Sequence, residues 1–313
     1  MTRAFVFPGQ GSQAVGMGRE LAEAFPAARR VFEEVDDTLN QKLSKLMFEG
    51  PDDQLTLTEN AQPALMTVSL AAFRVLVDEG GLDLTKSAAF VAGHSLGEYS
   101  ALAAAGTFSL ADAARLLRIR GKAMQTAVPV GQGAMAALLG LELDDARAVA
   151  EEAAQGEVCA AANDNAPGQI VVSGATAAVE RAVEIAKTKG AKRALRLPVS
   201  APFHCALMAP AAEAMADALA ETQMHPPAVP LIANVTAAEV LDIGEIRRLL
   251  VEQVTGMVRW RECVQKMKSQ GVDTMIEIGA GKVLAGLAKR IDRDIVTVNV
   301  GVPGDVEAFL KSL

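Results

Sequence analysis

The sequence predicts an α/β protein in two parts: a large domain on a mostly parallel sheet, and a small sheet-bearing unit inserted into it. Three observations carry this. Short apolar runs alternate with amphipathic stretches through most of the 313 residues, as in strands covered by helices. One such run, Ala88-Ala-Phe-Val-Ala92, passes through Gly93-His-Ser95-Leu-Gly97 into an Ala-rich helical segment, the strand–turn–helix pattern of a nucleophile elbow. Between about residues 131 and 197 the rhythm becomes strand, helix, strand, strand, helix, strand, the βαββαβ order of a ferredoxin-like unit.

Composition narrows the class. A 50% hydrophobic content is enough for a sizeable core. No apolar run approaches the roughly 20 residues of a membrane span, and Met1-Thr-Arg-Ala-Phe-Val-Phe-Pro8 lacks a signal-peptide pattern, so a soluble cytoplasmic protein is expected, with no membrane partner. A net charge of −8 argues against a general nucleic-acid binder. Cys159, Cys205 and Cys263 are far apart and form no C-x-x-C pair, which supports neither a disulfide framework nor a zinc site; buried, reduced thiols are expected.

In chain order, Ala4-Phe-Val-Phe7 is a short apolar strand feeding Pro8-Gly-Gln-Gly-Ser-Gln13, a loop that can present backbone N–H groups. Gly9-x-Gly11-x-x-Ala14 imitates a dinucleotide fingerprint, but Glu33 and Glu34, at the distance of its acidic residue, fall within a helical stretch instead of ending a strand. Residues 17–47 and 60–79 read as amphipathic helices separated by a turn at Gly50-Pro51. At the elbow, Ser95 must project from a sharp turn, and glycines two positions either side let neighbouring backbone approach.

Ser109-Leu-Ala-Asp112 is a capping box opening a helix to about Gln125. At about 100° per residue, Leu110, Ala113, Ala114, Leu117, Gly121 and Met124 share one face, with Arg115, Arg118 and Lys122 opposite. Arg120 falls about 50° from the centre of the apolar face, so it points inward and needs an anion, either a protein carboxylate or a bound ligand.

The small unit reads as strand 134–139, helix 144–155, strands 158–162 and 169–173, helix 176–189 and strand 192–198. Asn163-Asp-Asn-Ala-Pro-Gly-Gln169 reads as a polar loop between its middle strands. The expected division is therefore a large α/β-hydrolase-like domain from residues 1–129 and 198–313, with 130–197 as an inserted ferredoxin-like domain. Beyond it, strands near 231–235, 274–278 and 295–298 alternate with helices near 244–254, 260–270 and 281–290. Gly279-Ala-Gly-Lys282 imitates part of a phosphate loop but lacks the Walker spacing, and reads as a strand-to-helix turn.

A serine at its free pKa needs a base within hydrogen-bond reach. Of three histidines, His94 sits inside the elbow with its side chain directed away from that of Ser95, and His225 precedes Pro226-Pro227 in an exposed loop. Elimination leaves His204, in Pro202-Phe-His-Cys-Ala-Leu-Met208, as the candidate base.

Phe7-Pro-Gly-Gln-Gly-Ser-Gln13, Gly93-His-Ser-Leu-Gly-Glu-Tyr-Ser-Ala-Leu102, Arg120-Gly-Lys122, Asn163 to Gln169 and Pro202 to Met208 together resemble the malonyl-CoA:acyl carrier protein transacylases, over essentially the whole chain. The resemblance implies malonyl transfer from malonyl-CoA to the phosphopantetheine thiol of acyl carrier protein for fatty acid synthesis, by a ping-pong route through malonyl-Ser95, with no cofactor. It further implies His204 as general base oriented by the Gln253 backbone carbonyl, an oxyanion hole from the Gln10 and Leu96 N–H groups, Arg120 on the malonyl carboxylate, and Asn163 and Phe203 at the substrate site. Leu96 and Phe203 are similar to malonyl-selecting members, where methylmalonyl-selecting relatives carry Gln and Ser. The alternative is a serine thioesterase or esterase, which usually places an Asp or Glu between Ser and His in the chain; the acids that can be placed there, such as Asp144, Asp145 and Asp164, belong to the inserted unit.

Overall fold

The computed structural model describes residues 2–199 and 201–312. Among the described residues ten strands form two sheets: β1 (Arg3–Phe7), β2 (Phe90–Gly93), β3 (Gly133–Leu139), β4 (Cys159–Ala166), β5 (Gln169–Ala175), β6 (Arg193–Arg196), β7 (Leu231–Ile232), β8 (Glu239–Val240), β9 (Thr274–Ile278) and β10 (Val296–Val300). The larger sheet has the order β10-β9-β1-β2-β7-β8 and is parallel except for the short edge strand β8.

Alternation along β1 explains the two-sided burial. Phe5 and Phe7 enter a core shared with the helices Pro26–Leu39, Thr58–Asp78 and Leu110–Thr126, whereas Ala4 and Val6 enter a second core with Trp260, Val264, Met267, Leu284 and Leu287. Helices on both faces are what a parallel sheet requires, because both rows of side chains must leave water.

The smaller sheet has the order β4-β5-β3-β6, every pair antiparallel. Its helices Leu143–Ala154 and Thr176–Thr188 cover one face over Ala136, Leu138, Ile170 and Val172. On the other face Met135 and Val171 join the core shared with the large sheet, and Asn165 of β4 meets the His94 ring just past the C-terminal end of β2.

Local chemistry corrects several boundaries. The expected 17–47 helix is three helices, Arg19–Ala24, Pro26–Leu39 and Leu43–Glu49. Phe25 precedes proline and is extended (φ −126°, ψ 119°), and Asn40 turns left-handed (φ 46°), so each break has a local steric cause. The expected 163–169 loop is mostly strand: β4 continues to Ala166 through two register shifts, leaving only Pro167-Gly168 as the turn. Cys159 is half-buried, unlike the buried Cys205 and Cys263. Strand β7 covers only the start of the expected 231–235, and the strand β8 and helix Pro303–Leu310 carry no strong pattern of their own. Among the described residues no helix is long and apolar enough to cross a membrane, and no cluster of three or more His, Cys, Asp or Glu groups could hold a metal.

Candidate active site

The elbow is a backbone contact before it is a motif. A Cβ on Gly93 would lie 1.9 Å from the Gly97 carbonyl, and one on Gly97 would lie 2.2 Å from Phe7 O. Strand β2, the turn and the end of β1 therefore close on one another only with glycine at both positions. Between them Ser95 takes φ 54°, a left-handed conformation costly for a residue with a Cβ. Asn234 holds it there: its Oδ1 accepts from Ser95 N at 2.8 Å and its Nδ2 donates to Gly93 O at 2.7 Å.

His204, also left-handed (φ 58°), reaches over from the segment after the small unit. Its Nε2 lies 2.8 Å from Ser95 Oγ and its Nδ1 2.8 Å from Gln253 O. A carbonyl can only accept, so Nδ1 carries the proton and Nε2 presents a lone pair to the serine hydroxyl. Burial, and then the nearby Arg120 cation, pull this imidazole down to about 3, so it is neutral and able to take a proton at physiological pH.

Arg120 is 1% exposed, as the phase of its helix predicts. Among the described residues its acceptors are the neutral Gln62 Oε1 and Gln253 Oε1, each 2.8 Å away, and Ser95 Oγ at 3.2 Å. Among the described residues its Nε has no hydrogen-bond partner, and its guanidinium lies 5.7 Å from the centre of the Tyr99 ring. The neighbouring acid Glu98 is not among these partners: its carboxyl, pushed up to about 8 by burial, faces Gln253 and Asn234 instead. A desolvated cation thus stands beside the serine with, among the described residues, no carboxylate in its hydrogen-bond shell.

Among the described residues, the backbone N–H groups of Leu96 and Gln10 have no protein acceptor. Leu96 opens the helix Gly97–Ala104, whose N–H groups point toward the elbow. Gln10 is brought near by packing of the first loop: His94 N donates to Phe7 O at 3.0 Å, and a Cβ on Gly9 would lie 2.6 Å from His94 O. The His94 ring points away from Ser95, bonding Asn165 Oδ1 at 2.8 Å beside Trp260.

Ser95, His204, Gln253 and Arg120 therefore form one hydrogen-bonded group. Phe203 is buried next to His204 in the main core. Asn163 sits in β4, opposite Val171 and bridged to Val258, and among the described residues neither it nor Phe203 hydrogen-bonds to that group. Sequence reasoning missed Gln62, Asn234 and Glu98, which hold the group in place; only Glu98 lay within a motif already singled out. Gly279-Ala-Gly-Lys282 is a plain turn: Glu277, at the end of β9, accepts from Leu284 N (3.0 Å) and Ala285 N (2.8 Å), filling the helix N-terminus where a phosphate would bind.

A parallel sheet ending in an elbow, with a serine–imidazole pair and no side-chain acid behind the imidazole, defines a serine-dependent acyl-transfer protein. Residues 4–298 match the model of the acyl transferase domain. A malonyl CoA-acyl carrier protein transacylase of Bacillus subtilis is 48% identical over 311 residues, 99% of this chain and 96% of that protein. An acyl-carrier-protein S-malonyltransferase from Bartonella henselae has a similar structure (TM-score 0.97, 60% identity, covering 100% of this chain and 99% of the other). So does a malonyl-transacylase solved in complex with its type II PKS acyl-carrier protein (TM-score 0.96, 42% identity, covering 100% of both chains). The chain belongs to the acyl transferase family, among the malonyl CoA-acyl carrier protein transacylases.

Proposed function

We propose that the chain transfers malonyl from malonyl-CoA to the phosphopantetheine thiol of acyl carrier protein, in the cytoplasm, supplying units for fatty acid synthesis. Ser95 Oγ attacks the thioester carbon while His204 Nε2 takes its proton and passes it to the departing CoA sulfur, leaving malonyl-Ser95. The carrier thiol then attacks that ester, with His204 as base, and Ser95 is regenerated. Gln253 O keeps the imidazole in the required tautomer, the role an aspartate side chain fills in hydrolase triads. The Leu96 and Gln10 N–H groups receive the charge on the tetrahedral oxygen. The residues supply every proton transfer without a cofactor.

The observation that carries this reading is Arg120: a buried guanidinium 3.2 Å from the nucleophile, surrounded by neutral acceptors. An acyl group ending in a carboxylate supplies the missing anion, whereas acetyl leaves the cation unpaired. The same reading assigns Asn163 and Phe203 to substrate binding and residues 130–197 to an inserted domain.

Incubation with malonyl-CoA, mass spectrometry of the Ser95 peptide, and a chase with holo-acyl carrier protein or buffer test it. The expected result is a malonyl adduct on Ser95 that transfers to carrier and persists in buffer. Rapid loss to water would make the protein a thioesterase, and absence of an adduct would remove Ser95 from the chemistry.

A further inference from the structure

Glu98 is the elbow residue to which this mechanism gives no task. It is 1% exposed, in the first turn of the helix after the nucleophile, three positions beyond Ser95. Its Oε2 accepts from the Gln253 carboxamide Nε2 and, at 3.4 Å, from Asn234 N.

Gln253 has two jobs on separate atoms. Its backbone carbonyl orients His204, while its side-chain Oε1 accepts from Arg120 at 2.8 Å and its Nε2 donates to Ser95 O at 3.0 Å. A carboxamide has one accepting end and one donating end, so this arrangement holds in one orientation only. Arg120 can only donate, and the reversed carboxamide would set two donors face to face.

We propose that Glu98 is a positioning residue which, as an acceptor on the donating side of Gln253, fixes the carboxamide so that its oxygen faces Arg120 and aims the guanidinium at the malonyl carboxylate. Either oxygen of the Glu98 carboxyl can accept, whereas a glutamine at 98 keeps the shape but can turn toward Gln253 an NH2 that only donates, allowing the reversed orientation. Discrimination between acyl groups then weakens, while the carbonyl–imidazole–serine line is untouched.

The inference rests on the acyl-transfer reading above, and the test separates the two. Rates of Ser95 acylation by malonyl-CoA and acetyl-CoA are compared in the wild type, Glu98→Gln, Gln253→Leu and the double variant, with melting temperature as a check on folding. In Glu98→Gln the malonyl kcat/KM should fall about tenfold, mainly through KM, as expected for weakening a hydrogen bond to a charged group, with the acetyl kcat/KM unchanged. In the Gln253→Leu background, Glu98→Gln should leave the malonyl-to-acetyl ratio where it was, because the carboxamide it acts through is gone. Equal loss for both thioesters, or the full tenfold effect without the Gln253 side chain, would overturn the positioning role. If Glu98→Gln does not fold, Glu98→Asp keeps an acceptor withdrawn by one methylene and should show a smaller loss, again for malonyl alone; equal loss for both thioesters there overturns it too. A wild type that forms no malonyl-Ser95 overturns the acyl-transfer reading and this inference together, which is distinguishable from a change confined to the variants.

Discussion

Arg120 acts on two partners through one charge. Toward the substrate it is a selector, so Arg120→Gln should cut the malonyl kcat/KM by at least tenfold, the scale of a lost charge-assisted pair, while the acetyl value holds or rises. Equal losses for malonyl and acetyl would remove it from specificity. Toward His204 it is a depressor, since its cation adds to burial in pulling the imidazole to about 3. The sign follows from which form is the base: neutral imidazole is lost as pH falls through its pKa, so a lowered pKa carries activity to more acid pH. The acid limb of kcat/KM in the free enzyme should lie well below the usual 6.5, and in Arg120→Gln it should move up toward that value. Ser95, His204 and Arg120 were legible because each carries a sign readable without coordinates: glycines flanking a serine, scarcity of histidines, and a charged residue on the wrong side of a helix. Gln62, Asn234 and Glu98 were not. Carboxamides and acids are common, and what these do at the site is decided by partners 58 to 155 positions away in sequence.

At the scale of elements, the selector depends on how closely two helices pack. A Cβ on Gly121 would lie 2.5 Å from Thr58 O, so the helix Leu110–Thr126 reaches the helix Thr58–Asp78 only with glycine there. That approach lets Arg120 meet Gln62. Gly121→Ala should therefore destabilise the protein by about 1–3 kcal/mol and raise KM for malonyl-CoA more than for acetyl-CoA; chemical denaturation and steady-state kinetics check the two parts. The stripe of apolar residues gave this helix its length and phase correctly. The same pattern ran the helices between 17 and 47 together, because periodicity survives across a break that Phe25-Pro26 and Asn40 impose on the backbone alone. It also ended β4 early, since Asn163-Asp-Asn165 are turn residues by composition. In the fold they are strand because β5 lies on one side, and on the other Asp164 N donates to Val258 O while Val258 N donates to Ala162 O, each at 2.9 Å.

At the scale of the molecule, β4 fastens the inserted unit to the large sheet. The fully buried Asp164 accepts from Arg261 Nε at 2.9 Å, and Arg261 also reaches Glu142 at 3.0 Å. Asp164→Asn removes the buried half of this pair but leaves Arg261 on the exposed Glu142, so it should cost about 1–3 kcal/mol, measured by urea unfolding. The alternation of strands and helices made the two sheets readable, but this clasp was not, because its partners lie 97 and 119 positions apart. The order of the large sheet has a further consequence, for biosynthesis. Strand β1 leaves the ribosome before the other strands of the sheet, yet it lies between β2 and β9, so its second neighbour is residues 274–278. His204 and Gln253 likewise follow the insert. Until residues 274–278 are made, the nascent protein carries an apolar strand with one edge unpaired, which makes folding slow and leaves chaperones a target over that interval.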